Sequence, residues 1–220
     1  MSAMKKNVLI YGDSNTWGFV PGVGARFESD VRWPGIVAKL LGEEYEIREE
    51  GMGGRTTVYD HPRCDGYNGR KGLGYALCST RFIDMVIISL GTNDLLFTNA
   101  ADSARGIDEI IRLVQNADAC FPAGNGRILR GTPKVLVISP IHLHPDVYKL
   151  GEDSAVSDKY EESLKFARLY KKICDGRGVE FLDASLYAQA SDADYVHMDA
   201  ESHRRLGEAV AQKVQQMYAE

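Results

Sequence analysis

The segment Met85–Asp94 reads MVIISLGTND, a nearly continuous apolar run that ends in a turn of glycine, threonine, asparagine and aspartate. An unbroken Val/Ile/Leu run of strand length is the pattern of a parallel strand covered on both faces. Working outward, Lys134–Ser139 (KVLVIS) repeats the pattern. Asn7–Tyr11 (NVLIY), Tyr45–Glu49 (YEIRE) and Val179–Asp183 (VEFLD) are further strand candidates, YEIRE with the mixed composition of an edge. Between them Trp33–Leu41, Arg70–Thr80, Ala101–Ala117, Lys159–Cys174 and Asp199–Tyr218 read as helices. In the last, Leu206, Val210, Val214 and Met217 make one apolar stripe. Strands joined through helices long enough for a crossover predict right-handed connections in a parallel sheet. The expected fold is therefore α/β: a three-layer, doubly wound, flavodoxin-like sheet of five parallel strands in the order 2-1-3-4-5, with helices on both faces. One domain over residues 1–220 is expected. Three stretches, Thr57–Gly69, Cys120–Pro133 and Ile141–Val156, carry no simple element.

The 220 residues, 44% hydrophobic and 26% charged, form an ordinary globular mixture able to bury a substantial core. A formal net charge of -5 without a basic cluster argues against a nucleic-acid or anionic-membrane partner. The start, MSAMKKNVLIYGDS, lacks the apolar length and cleavage site of an export signal, and no apolar run reaches bilayer length. A cytoplasmic protein is expected. Cys64, Cys78, Cys120 and Cys174 lie far apart with no CxxC pair, which reads as reduced structural thiols and not as a zinc site.

Four segments could carry chemistry. Gly12–Gly18 (GDSNTWG) follows the first strand and would hold Ser14 on a tight turn with its hydroxyl presented outward, although Ser or Asp at that place is also a common helix N-cap. A serine needs a base and an oxyanion donor to act as a nucleophile. Asn93, in GTND after the third strand, could donate its amide, or the segment could be turn chemistry alone. Glu50–Thr57 (EGMGGRTT) offers glycines that let backbone N–H groups approach a ligand, or simply a flexible loop. Asp194-Tyr195-Val196-His197 places a carboxylate three residues before a histidine, where it could fix the ring's tautomer; Asp192 is an alternative. His203 falls within a helical stripe and reads as structural, His142 and His144 in SPIHLHP could line a pocket, and no spacing suggests a metal. Each position falls on the carboxyl-end rim of the expected sheet, where one shared site would lie.

Taken in order, these four blocks resemble those of the SGNH (GDSL-like) hydrolase superfamily. GDSNTWGFVPG, RFESDVRWPGIVAKLLG, EEGMGGRTT, MVIISLGTND and PKVLVISP resemble its bacterial arylesterase/acyltransferase branch more narrowly. The resemblance implies a serine esterase for short-chain or aryl esters, with acyltransfer or perhydrolysis as side activities. Ser14 would be the nucleophile, His197 the base and Asp194 its orienting acid. The oxyanion would sit among the backbone N–H groups of Ser14 and Gly54 and the side chain of Asn93. Asp13, Trp17, Thr92 and His142 are candidate pocket residues, Trp17 equally readable as core. The resemblance further implies a small-molecule ester substrate, no cofactor, and a homo-oligomer whose subunits narrow the channel. Intracellular carbohydrate O-acetylesterase, lysophospholipase or thioesterase activity is the alternative within the same chemistry. A flavin-binding module or an inactive scaffold would leave DxxH and GTND unexplained. The sequence departs from the family at Asn15, where Leu is usual, at Tyr195, where Gly is usual, at the Gly53-Gly54 pair, and along Ile141–Val156.

Overall fold

The computed structural model describes residues 4–62, 64–121 and 126–219. It contains a five-stranded, all-parallel sheet in the order β2-β1-β3-β4-β5. The strands are β1 (Lys6–Gly12), β2 (Tyr45–Gly51), β3 (Ile83–Ser89), β4 (Leu129–Ser139) and β5 (Glu180–Asp183). The helices are α1 (Ser14–Trp17), α2 (Trp33–Leu41), α3 (Gly69–Thr80), α4 (Ala100–Gln115), α5 (Ala117–Cys120), α6 (Tyr160–Ser163), α7 (Phe166–Arg177) and α8 (Ala200–Ala219).

The alternation of side chains along each strand builds two cores. Val8, Ile10, Met85, Ile87, Leu136 and Ile138 face α2 and α8, where Trp33, Val37, Leu206, Val210 and Val214 meet them. Their neighbours Leu9, Tyr11, Val86, Ile88, Val135 and Val137 face α3, α4 and α7 on the other side. Burial of each large apolar side chain contributes about 1.5–3 kcal/mol, so the central strands, covered on both faces, are where the sheet is held. This is why MVIISL shows no alternation in sequence.

Four elements differ from the sequence reading, the smallest being a 3₁₀ turn, Asp65–Tyr67, within Thr57–Gly69. The stretch Cys120–Pro133 was expected to lack an element, but β4 begins at Leu129: Ile83 pairs with Leu129 and Met85 with Lys134, and the register shift between them takes up the extra residues around Gly131. Asp118 Oδ1 accepts the backbone N–H groups of Ile128 (2.6 Å) and Leu129 (3.1 Å) and anchors the strand's start. Residues 122–125 of that stretch, and residues 1–3 of the start, lie outside the described residues. The helix expected over Lys159–Cys174 is broken into α6 and α7. Ser163 Oγ donates to Tyr160 O (2.6 Å) and accepts Leu143 N–H (3.1 Å), so its hydroxyl serves the loop after β4 rather than an uninterrupted helix. Ile141–Val156 contains a 3₁₀ turn, Pro145–Leu150, capped by His144, whose Nδ1 accepts Asp146 N–H (3.1 Å). Among the described residues the four cysteines are unpaired, and no helix is long and apolar enough to cross a membrane.

Candidate active site

The site is assembled where β1, β2 and β3 end and where the chain approaches α8. Gly12 closes β1 because nothing larger fits: a Cβ there would lie 2.0 Å from Thr16 Oγ1 and 2.8 Å from Ser89 O. Asp13 then caps α1, its carboxylate accepting Asn15 N–H at 3.0 Å. The cap role therefore belongs to Asp13, which leaves the hydroxyl of Ser14, the first residue of α1, available for other bonds.

The segment Asp194–His197 reaches that hydroxyl from 183 positions away: His197 Nε2 lies 2.9 Å from Ser14 Oγ, and His197 Nδ1 lies 2.8 Å from Asp194 Oδ2. Asp194 Oδ1 accepts the backbone N–H groups of Val196 (3.1 Å) and His197 (2.9 Å), so one carboxylate shapes the turn and orients the ring together. Burial raises the Asp194 carboxyl, but the bonds from the His197 ring and these N–H groups outweigh it and bring it down to about 2. Tyr195 takes φ +65, the left-handed region that glycine enters without strain. Its carbonyl accepts His144 N–H (2.9 Å) and its ring lies beside the His144 ring, contacts that glycine could make only in part. Asp192, the alternative partner for His197, instead pairs with His144 Nε2 at 2.9 Å.

Two neighbours hold this arrangement: Asn15, which the sequence marked only as a departure from Leu, and Phe19, which sequence reasoning did not single out. Asn15 is buried, and its Oδ1 accepts Met198 N–H at 3.0 Å, tying the serine turn to the residue after His197. The departure from Leu at this position thus adds a cross-link. The Phe19 ring stacks on His197 with centroids 4.2 Å apart.

The glycine turn and the GTND turn lie together. Met52 N–H donates to Gly12 O (3.1 Å), and a Cβ on Gly51 would lie 2.3 Å from Trp17 N, so the ends of β1 and β2 are in close apposition. Gly54 has φ +78, and a Cβ there would meet the Tyr67 ring at 3.2 Å, which accounts for glycine at this place. Asn93 Nδ2 donates to Arg55 O at 3.0 Å, bringing the third segment against the second. Asp94 serves the scaffold: wholly buried, it accepts Thr57 N–H (2.7 Å) and Thr57 Oγ1–H (2.6 Å). Burial raises its carboxyl.

The remaining candidates are more dispersed. Trp17 is half-buried, with the Arg26 guanidinium 5.4 Å from its ring. Asp13 and Thr92 line a narrow cleft behind the serine turn together with Asn15, Ser139 and Met198. His142 lines a different groove, with His144, Tyr160, Ser191, Asp192 and Asp199. Among the described residues no group of His, Cys, Asp and Glu is placed to hold a metal ion.

Two buried groups set opposite pH dependences on stability. His203 on α8 is wholly buried, its Nδ1 accepts Trp33 N–H at 3.3 Å, and burial pushes its pKa from 6.5 down to about 4. Its neutral form is compatible with folding above pH 6.5. As pH falls from there toward 4 the unfolded chain takes up a proton that the folded one refuses, at a cost of about 3 kcal/mol. Asp13 runs the other way: burial raises it from 3.8 to about 6, so its contribution is present below pH 3.8 and is lost as pH rises through 6. His203→Asn keeps an acceptor for Trp33 N–H at the place of Nδ1 and leaves the Asp13 effect in place. The variant is expected to lose less stability than wild type on acidification from pH 7 to 4, read by urea unfolding; parallel curves would refute this account.

Residues 10–205 match the GDSL-like lipase/acylhydrolase family. The chain is also similar to solved structures. One is the M. smegmatis aryl esterase: 34% identity over 96% of this chain and 99% of that one, TM-score 0.85. Another is Est24, a carbohydrate acetylesterase from Sinorhizobium meliloti: 35% identity, 97% and 100% covered, TM-score 0.85. A third is a carbohydrate acetylesterase family member from the same organism: 30% identity, 98% and 100% covered, TM-score 0.87. No curated protein matches the chain.

Proposed function

Because the chain belongs to the GDSL-like lipase/acylhydrolase family of carboxylic ester hydrolases, we propose that it cleaves short-chain or aryl esters through an acyl-enzyme on Ser14. The observation that carries this reading is the hydrogen-bonded line Ser14–His197–Asp194, with separations of 2.9 and 2.8 Å. With its proton on Nδ1 facing Asp194, His197 presents the Nε2 lone pair to Ser14. Ser14 Oγ attacks the ester carbonyl as His197 takes its proton, and the carbonyl oxygen becomes an oxyanion. Collapse expels the alcohol, which receives the proton from His197 and leaves the acyl group on Ser14. Water, deprotonated by the same ring, then attacks the acyl carbon; the bond to Ser14 Oγ breaks, Ser14 recovers the proton from His197, and the acid is released. An alcohol or hydrogen peroxide in place of water would give acyl transfer or perhydrolysis at the same site. Throughout, the carboxylate of Asp194 stabilises the imidazolium.

The oxyanion donors in this reading are the N–H groups of Ser14 and Gly54 and the amide of Asn93. The second N–H of Asn93 remains for substrate once the first is committed to Arg55 O. Asn93→Ala is expected to lower kcat on p-nitrophenyl acetate by about 10²–10³-fold with a small change in KM. A KM effect alone would place Asn93 in binding and not in oxyanion stabilisation. The acyl-enzyme itself is tested by quenching during turnover and finding the acyl group on the Ser14 peptide by mass spectrometry; an unmodified Ser14 under turnover would overturn the mechanism.

Likeness to an aryl esterase supports phenyl and other short esters as substrates. Likeness to two carbohydrate acetylesterases supports a second reading, removal of acetyl groups from sugar hydroxyls. Comparing kcat/KM on phenyl acetate, p-nitrophenyl octanoate and acetylated monosaccharides separates the two. Both readings use the same site without a cofactor, and a cytoplasmic homo-oligomer that narrows the approach to Ser14 is the setting we propose for either.

A further inference from the structure

Arg55 carries a charge into the interior without an evident benefit to the fold. The residue is 6% exposed, and its Nε is a buried donor without a partner among the described residues. Burial lowers its pKa against the pull of Tyr11, Glu50 and Asp13. A buried cation that leaves a donor unpaired costs stability, and an apolar residue of the same size would avoid that cost. What the charge accomplishes is local. Nη1 donates to Gly12 O at 2.8 Å and to Glu50 O, the carbonyls at the ends of β1 and β2, and the guanidinium sits 4.1 Å from the Tyr11 ring centroid. The Arg55 main chain closes the glycine turn through its N–H to Met52 O (3.2 Å), while its carbonyl accepts the Asn93 amide (3.0 Å).

Resting on the assignment of Ser14, Gly54 and Asn93 as oxyanion donors, we infer that Arg55 is the positioning residue of the oxyanion site. Its side chain fixes the strand end that precedes Asp13-Ser14, its main chain adjoins and holds the Gly54 amide, and its carbonyl commits one N–H of Asn93 so that the other has a set direction. One residue thereby couples donors from three separate chain segments. Its positive charge is also near enough to Asp13, the neighbour of Ser14, to pull that carboxyl's pKa down, in a buried setting where such a charge acts strongly. The side chain touches no reacting atom; it acts through the groups that do.

The test uses Arg55→Met, which removes the charge, and Arg55→Lys, which keeps it but cannot span both carbonyls in the same way. Arg55→Lys also serves if the methionine variant fails to fold. On p-nitrophenyl acetate, kcat is expected to fall about 10²-fold in Arg55→Met and about 10-fold in Arg55→Lys, with KM within about threefold of wild type. In an Asn93→Ala background, the Arg55→Lys loss is expected to shrink to about threefold, because one of the three donors it positions is gone while the N–H groups of Ser14 and Gly54 remain. A merely structural arginine would take the same factor in both backgrounds. The rate at which a phosphonate ester labels Ser14, followed by mass spectrometry, should fall in step with kcat. The inference is overturned if Arg55→Lys keeps wild-type kcat while Ser14→Ala is inert, or if its loss is equal in the two backgrounds. Failure of the phosphonate to label wild-type Ser14 would instead remove the active-site assignment, and the role of Arg55 with it.

Discussion

Ser14→Ala is expected to lower kcat for p-nitrophenyl acetate by on the order of 10⁶-fold while leaving the fold unchanged. Among the described residues the hydroxyl's side-chain bond is to His197 Nε2 at 2.9 Å, and the helix cap beside it is supplied by Asp13. Deleting one oxygen therefore removes the nucleophile without unpairing a backbone group or opening the core. His197→Ala should cost nearly as much, and the double variant little more, because nucleophile and base act as one unit. What survives would be the oxyanion donors acting on water, on the order of 10³–10⁴-fold above the uncatalysed rate. Matched assays of the three variants, with circular dichroism to verify folding, decide the matter. Wild type and Ser14→Ala hydrolysing p-nitrophenyl acetate at the same slow rate would end the esterase reading for such esters.

Asp194→Asn should be the next most damaging change after Ser14→Ala and His197→Ala, about 10⁴-fold in kcat with KM nearly unchanged. The reason lies in the two ends of the carboxylate. Oδ1 accepts the N–H groups of Val196 and His197, so an asparagine must keep its carbonyl oxygen there. Its NH₂ group then faces His197 Nδ1, which is forced to become an acceptor, and the ring proton moves to Nε2. A donor would point at Ser14, where the reaction needs a base. The wild-type carboxylate, held at about 2, stays ionised across the range in which an esterase is assayed. The stability it contributes is present above pH 3.8 and is lost only as pH falls through 2. Rate measurements with NMR of the His197 ring protons test this prediction; full activity in Asp194→Asn would return Asp192, now paired with His144, to consideration.

Much of the architecture was legible because hydrophobic runs and strand-end polar residues are local signals. MVIISL and KVLVIS identified central strands, and the order of the sheet followed from the alternation with helices. The segments bearing Ser14, Asn93, Gly54 and His197 could be placed on one rim for the same reason. What stayed hidden depends on partners distant in sequence. Whether Asp192 or Asp194 faces His197 is decided by a loop that hands Asp192 to His144. That Asn15 reaches Met198, that Phe19 covers the His197 ring, and that Arg55 turns inward to Gly12 are matters of tertiary approach with no periodicity behind them. The early start of β4 was missed because Gly131, Thr132 and Pro133 imitate a loop, and only pairing of Leu129 with Ile83 makes that segment a strand.

The span between Ser14 and His197 has a consequence in time. A ribosome delivers the serine turn, the glycine turn and GTND long before it delivers the base, because 183 positions separate the two residues that must touch. Nothing made earlier can supply His197, so the nascent chain carries an unarmed hydroxyl until residues 194–197 have emerged and docked on the serine turn. Ester cleavage would therefore switch on only once the segment that bears His197 has docked on the serine turn. In refolding, recovery of turnover would report the docking of His197 on the serine turn.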